Sequence, residues 1–167
     1  MADQLIKVDV RQWRTVSKLL RAMPNHKDLR KELLLELRKV AEPAADKARQ
    51  NILGMSSKGL RNKGGSLRAK VAKRVQTKAT LGGRKAGVRV MVAQRIGLPR
   101  GFFNAPAQLN RKSFRHPVYG RPDSWTVQVG EPGWFDLPLI ASRRQASQAA
   151  VKVLQKFSED MVKEIER

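Results

Sequence analysis

The first pattern in the sequence is a set of apolar residues spaced three and four positions apart near the amino terminus. This spacing places them on one face of a helix, and Pro24 follows the last of them. Because proline lacks the backbone N–H that a helix needs, we predict a helix over residues 10–23, within an amino-terminal helical extension of residues 1–24. The apolar face consists of Val10, Trp13, Val16, Leu19, Leu20 and Met23.

A longer apolar stripe predicts a second helix over residues 25–54, with Gly54 as its carboxy-terminal stop. Pro43 interrupts the stripe, so we expect a kink or a break near residues 40–42. Several alanines indicate close packing against a sheet or another helix rather than ligand binding. The stripe consists of Leu29, Leu33, Leu37, Val40, Ala44, Ala48 and Ile52.

Residues 55–66 are rich in serine, lysine, asparagine and glycine, a composition that predicts a mobile basic loop. After it, the apolar positions in residues 67–75 fit a short helix. A hairpin fits better, because residues 71–77 are followed by two glycines and then by residues 88–92, in which valines alternate with other residues. The start of the first strand of this hairpin is left open.

The second half of the chain completes the fold. Residues 93–121 are rich in proline, glycine and basic residues and predict one long, mostly irregular loop, which we interpret as an assembly loop because such loops in compact domains usually bind something. Residues 125–129 alternate as a short strand, and a closing helix over residues 137–166 carries Ala146, Ala150, Val153, Phe157, Met161 and Ile165 on one face. We therefore predict a single α+β domain, with a small, mainly antiparallel sheet in residues 67–135 packed by the two long helices.

The formal net charge of +21 is concentrated in the middle of the chain. Between Lys47 and Pro122 there are 19 lysines and arginines and no aspartate or glutamate. Residues 1–46 hold ten basic and seven acidic residues, and residues 123–167 hold six and seven, so the flanks carry only +3 and −1. Such a block favours a polyanion or an acidic protein surface as its neighbour, although a solvated basic face without a specific ligand is the alternative.

Few residues in the sequence are candidates for catalysis, metal binding or phosphate binding. The chain has no cysteine, and its two histidines, His26 and His116, lie far apart and away from any carboxylate pair. General acid–base pairs and divalent-metal sites need carboxylates, which the acid-free middle cannot supply. The glycine- and lysine-containing segments 56–59 and 81–85 do not match a phosphate-binding loop. We therefore predict no enzymatic activity, no cofactor and no metal.

Targeting and nucleic-acid motifs are also missing from the sequence. The first ten residues lack the basic start and apolar run of a signal peptide, and no stretch approaches the roughly 20 apolar residues of a membrane span. We expect a soluble protein made in the cytoplasm, without a membrane partner. No zinc finger, helix-turn-helix or ribonucleoprotein motif is present, so any DNA contact would be with phosphates and insensitive to sequence.

Three short segments resemble one protein family. Residues 114–121 are Phe-Arg-His-Pro-Val-Tyr-Gly-Arg, residues 125–128 are Trp-Thr-Val-Gln, and residues 132–135 are Pro-Gly-Trp-Phe. In order and spacing they are similar to the R-H-P-V/L-F/Y-G stretch, W-x-x-Q strand and P-G-W/F-F turn of tail-completion proteins of long-tailed phages, also called neck or head–tail connector proteins. Residues 65–68, Gly-Ser-Leu-Arg, resemble the G-x-L-R that opens the family's sheet. The signature residues are His116, Pro117, Tyr119, Gly120, Trp125, Gln128, Pro132, Gly133, Trp134 and Phe135.

The resemblance covers roughly residues 27–166 and implies a virion protein that forms a ring of about six copies at the junction of tail and neck. It implies a neck, stopper or connector protein on one side, the tail tube or tail terminator protein on the other, and DNA passing through the lumen. The amino-terminal helix and the loop over residues 95–109 depart from the family. Charge and loop placement select the candidate interaction residues, which are Arg61, Lys63, Arg84, Lys85, Arg95, Arg100, Arg111, Lys112 and Arg115.

Two other functions stay open. One is a tail terminator or stopper of the same neck. The other is a basic nucleic-acid-associated host protein that binds the phosphate backbone without sequence specificity, for which affinity for free DNA or RNA would fall steeply with salt. Turn and core residues alone also account for the signature, because such residues report a fold rather than a function.

Overall fold

The computed structural model of the protein describes residues 4–6, 10–23, 25–55, 66–82, 86–93, 104–118 and 121–165. These residues form an α+β fold, as predicted. The helices are α1 (Val10–Ala22), α2 (His26–Gly54), α3 (Leu67–Ala72), α4 (Ala105–Leu109) and α5 (Asp136–Ile165). The strands are β1 (Gln4–Ile6), β2 (Val75–Thr80), β3 (Gly87–Val92), β4 (Ser113–Val118) and β5 (Arg121–Val129).

The strands form two antiparallel sheets rather than the single sheet predicted. Strands β1, β3 and β2 lie side by side in that order, and β4 and β5 form a separate two-stranded sheet. Strand β1 was not predicted from the sequence, and it pairs with β3 from Gln4 opposite Val90 to Ile6 opposite Val88. A three-residue strand is too short to show an alternating pattern of its own.

Helix α2 is the centre of the fold. It contacts α5 most extensively, and it also packs against β2, β3, α3 and α1. Its predicted apolar stripe is buried at Leu33, Leu37 and Ile52 and at the alanines between them. Of the predicted kink or break near residues 40–42, the break is wrong, because one continuous helix runs through Pro43. Buried neighbours on both sides of the proline fix this segment by packing, which offsets the hydrogen bond that proline cannot make.

The three-stranded sheet has two different faces. Val75 lies opposite Val92 and Ala79 opposite Val88, and these four side chains are buried in the core. On the other face Lys78 lies directly opposite Arg89, and the Lys78 side chain is exposed. Directly opposed like charges are unfavourable in a strand pair, and the half-buried Arg89 side chain also has another partner within the protein.

A polar cluster joins α2 to β2. The Arg49 guanidinium donates to Glu42 at 2.6 Å, to Asp46 at 2.5 Å and to the backbone oxygen of Val75 at 2.8 Å. The Thr77 hydroxyl donates to the other carboxylate oxygen of Glu42 at 2.9 Å. Burial acts to lower the pKa of Arg49, but the bonds to the two carboxylates outweigh it and raise that pKa. The cluster therefore ties the edge strand to the central helix.

The middle of the chain combines the two alternatives considered for residues 67–75. The short helix α3 forms first, with the Ser66 hydroxyl accepting from the Ala69 N–H as an amino-terminal cap. The predicted hairpin then follows as β2 and β3, so its first strand starts at Val75 rather than at residue 71. The predicted basic loop falls almost wholly on residues 56–65, which lie outside the described residues.

The prediction of one irregular loop over residues 93–121 is wrong for its second half. Helix α4 and strand β4 lie within it, while residues 94–103 lie outside the described residues. The closing helix is confirmed as α5, with Ala146, Ala150 and Met161 buried, although Ile165 is exposed. None of the helices in the described part has an apolar stretch long enough to span a bilayer.

Candidate assembly surface

The hairpin formed by β4 and β5 presents two unlike faces. Residues that lie directly opposite each other on antiparallel strands share a face of the sheet. One face carries Phe114 opposite Gln128 and His116 opposite Thr126. Phe114 is partly buried and packs against the core, and its ring centroid lies 6.2 Å from that of His116. This face therefore packs against the body of the protein.

The opposite face of the hairpin is exposed and apolar. It carries Arg115 opposite Val127, Ser113 opposite Val129 and Pro117 opposite Trp125. The exposed fractions of Trp125, Val127 and Val129 are 55%, 62% and 63%. Single exposed apolar residues are normal, but a contiguous run on one face marks an interaction site. We call Arg115, Trp125, Val127 and Val129 the hairpin face.

Basic side chains border the hairpin face. Arg111 and Lys112 lie immediately before β4, and both are exposed, as is Arg115. None of these three residues forms an ion pair with a described residue. The structure thus brings together three of the predicted interaction residues beside an exposed tryptophan. Arginine and tryptophan are the side chains enriched at the energetic centres of protein interfaces.

Asn110 fixes the base of the hairpin to the start of α5. Its side-chain oxygen accepts from the Gly133 N–H at 2.8 Å, and its amide donates to the Asp136 carboxylate at 2.8 Å. The Glu131 N–H also donates to the backbone oxygen of Leu109 at 2.9 Å. Gly133 has φ +82°, in the region that glycine adopts without strain. The hairpin is thereby held at a defined angle to the long helix.

Arg68 provides a second link between the hairpin and the body. Its guanidinium donates to the backbone oxygen of Met55 at 2.5 Å and to that of Val129 at 3.2 Å. Burial lowers the pKa of Arg68. The Asn51 amide donates to the backbone oxygen of Trp134 at 3.3 Å. Contacts from α3 and α2 therefore hold the end of β5 and the turn that follows it.

Replacing Asn110 with alanine should loosen this junction. Two hydrogen bonds are lost, and at about 1 kcal/mol each we expect a decrease of about 2 kcal/mol in the free energy of unfolding, measured by urea denaturation. The control is Asn104→Ala, because Asn104 is exposed and its side chain caps no helix. A loss of the same size at both positions would contradict the role given to Asn110.

The other predicted interaction residues lie outside the described residues. They are Arg61, Lys63, Arg84, Lys85, Arg95 and Arg100. Sequence reasoning missed Asn110 and Arg68 as organising residues of this site. The only signal for Arg68 was its place in the Gly-Ser-Leu-Arg segment, and Asn110 lay inside the loop predicted over residues 93–121, where no pattern marked it.

The signature residues divide between core, turn and surface. Trp134 and Phe135 are buried, with ring centroids 5.5 Å apart in an edge-on arrangement. Pro132 is exposed, Gln128 is half-buried, and the backbone of Pro117 belongs to β4. Trp125 is exposed, so the alternative that it fills the core is wrong. Tyr119 and Gly120 lie outside the described residues.

Within the described ranges, no three histidine, cysteine, aspartate or glutamate side chains come together as metal ligands. No protein-family model matches the chain, and comparisons with curated proteins and with solved structures find no match.

Proposed function

We propose that this chain is a structural virion protein, a phage tail-completion or head-to-tail connector subunit that acts in a ring at the tail–neck junction. The observation that supports it most is the hairpin face, an exposed apolar surface that includes Arg115 and lies beside the exposed Arg111 and Lys112. A surface of this kind is suited to a protein partner. It lies in the same segment that resembles tail-completion proteins, residues 114–135.

The charge of the chain supports a place next to DNA. The acid-free block includes β2 and β3, whose outward face sets Lys78 opposite Arg89. A ring that surrounds DNA benefits from such a field, because basic loops stabilise a polyanion at close range without reading its sequence. The proposed role is assembly, so it requires no reaction, no cofactor and no metal.

The proposed position is tested in phage particles from a producing culture. Electron cryo-microscopy of these particles should show density for this chain as a ring between head and tail, and deletion of its gene should give DNA-filled heads and tails that remain separate. The height of the ring in the neck distinguishes a tail-completion protein from a terminator or a stopper. Joined, infectious particles without the chain would overturn the proposal.

Complementation of the deletion links the proposal to the hairpin face. A plasmid copy of the natural sequence should restore joined particles, while Trp125→Ala should not, because the exposed indole is the largest contact area on that face. The control is Arg30→Ala, which removes an exposed side chain on α2. Equal rescue by both variants would contradict the use of the hairpin face in assembly.

The nucleic-acid alternative predicts a different result with the isolated protein. Tight binding of double-stranded DNA that weakens steeply as salt rises, in a chain absent from particles, would favour it. A chain found in the neck, whatever its affinity for free DNA, would favour the connector.

A further inference from the structure

We infer that the hairpin face of one copy of the chain binds the carboxy-terminal end of α5 in a second copy. This inference rests on the proposed ring, because it names the contact through which neighbouring subunits would meet. Three observations lead to it. The hairpin face is basic, the end of α5 is apolar and acidic, and the other exposed apolar residues in the described part of the chain fit a basic partner less well.

The hairpin face is unsuited to binding itself. In a two-fold symmetric contact the same patch meets its own copy. Residues 111–131 hold four basic residues and only two acidic ones, Asp123 and Glu131, so two copies of this patch would meet with like net charge. Juxtaposed like charges cost several kcal/mol at an interface. The partner surface must therefore be apolar and acidic, which means a different part of the second copy.

The end of α5 has this chemistry. Glu159, Val162 and Ile165 follow one another at intervals of three, which places them along one side of the helix. Val162 and Ile165 are 41% and 55% exposed, and Glu159 is exposed and forms no ion pair with a described residue. Residues 159–165 contain three acidic side chains and one basic one.

The other exposed large apolar residues are less suitable partners. Leu137 lies at the base of the same hairpin, beside Asp136, whose carboxylate already accepts a hydrogen bond from Asn110. Leu53 lies in the basic block. Ile140 is followed at three and four positions by Arg143 and Arg144, and the acidic residues Asp28 and Glu36 near Leu35 already form ion pairs with Lys31 and Lys39. The end of α5 therefore matches the hairpin face best among the described residues, with apolar side chains opposite apolar ones and Glu159 available to Arg115.

A contact between two different patches has a geometric consequence. It is heterologous, so each copy still offers a free hairpin face and a free α5 end after one contact has formed. Repetition of the contact adds further copies and closes a ring when the rotation between neighbours permits. A ring around DNA requires this kind of contact, and a two-fold dimer cannot supply it.

Cysteine cross-linking tests the contact directly, because the natural chain has no cysteine. We would prepare Val127→Cys and Ile165→Cys separately, mix them at high protein concentration under oxidising conditions, and measure disulfide-linked dimers. Both positions are exposed, so the fold should tolerate the changes, and unchanged thermal unfolding would confirm it. The expected product is the mixed dimer. Leu35→Cys, exposed on α2, is the matched control and should give little cross-linking with Val127→Cys.

Charge reversal tests the pairing of Arg115 with Glu159. Arg115→Glu should lower the yield of the mixed cross-link by roughly tenfold or more, and the addition of Glu159→Arg in the α5 copy should restore it. A dominant Val127–Val127 dimer, or the absence of the mixed dimer, would overturn the inference.

The two proposals fail in different ways. If the chain forms the neck ring but the mixed dimer is absent, only the docking contact is wrong. If the mixed dimer forms but the chain is missing from particles, the contact stands and the connector function is wrong.

Discussion

Replacing Trp134 with alanine is expected to lower the free energy of unfolding by about 3–5 kcal/mol. The Trp134 side chain is only 1% exposed, its ring centroid lies 5.5 Å from that of Phe135 in an edge-on arrangement, and it lies within the turn that leads into α5. Removal of the indole leaves a cavity in a region that α2 and α5 hold rigidly, so little collapse can offset it. Urea denaturation followed by circular dichroism measures the loss.

The chain offers a matched control for this substitution. Trp125→Ala removes the same side chain from an exposed position on the hairpin face, and we expect a change within about 0.5 kcal/mol. The two variants should therefore separate stability from assembly, since Trp134→Ala weakens the fold and Trp125→Ala weakens the contact with a partner. Equal stability losses would show that the hairpin packs more closely on the protein than its exposure indicates.

Replacing Gly130 with alanine is expected to cost about 3 kcal/mol or more. A Cβ atom at this position would lie 2.3 Å from the backbone oxygen of Arg111 and 2.5 Å from that of Leu109. Both neighbours are main-chain atoms, so the backbone itself must shift. That shift would strain the bonds from the Gly130 N–H to the Lys112 oxygen and from the Glu131 N–H to the Leu109 oxygen.

The control for Gly130 is Gly82→Ala. A Cβ atom added at Gly82 meets nothing within 4 Å, so the free energy of unfolding should change by no more than about 0.5 kcal/mol. The comparison uses urea denaturation of both variants. If the two glycines tolerate alanine equally, the close approach of the backbone at the hairpin base is not a constraint on this fold.

The long helices and the β2–β3 hairpin could be predicted from the sequence because each has its own repeated pattern. The stripe of α2 runs from Leu29 to Ile52, and the valines of β3 alternate with half-buried residues. Strand β4 shows no such pattern, because it contains Arg115, His116 and Pro117, and its strand conformation depends on pairing with β5. Helix α4 spans five residues, too short for helical periodicity to stand out.

The candidate site could be predicted only in part. Charge indicated that Arg111, Lys112 and Arg115 are exposed, and the structure places them together. Alternation around Trp125 indicated a strand with two different faces, but alternation does not say which face another element covers. The roles of Asn110 and Arg68 depend on partners 13 to 61 residues away along the chain, and no local pattern predicts such contacts.

The outward face of the three-stranded sheet makes the stability of this protein depend on its ionic surroundings. Lys78 and Arg89 lie directly opposite each other within the acid-free block of the chain, and at about 0.15 M salt the screening length of roughly 8 Å only partly shields close like charges. Added anions weaken the repulsion among basic residues that folding brings close together and that lie further apart in an extended chain. Salt or DNA should thus raise the melting temperature, so the protein gains stability on reaching an anionic surface and is least stable when alone in dilute buffer.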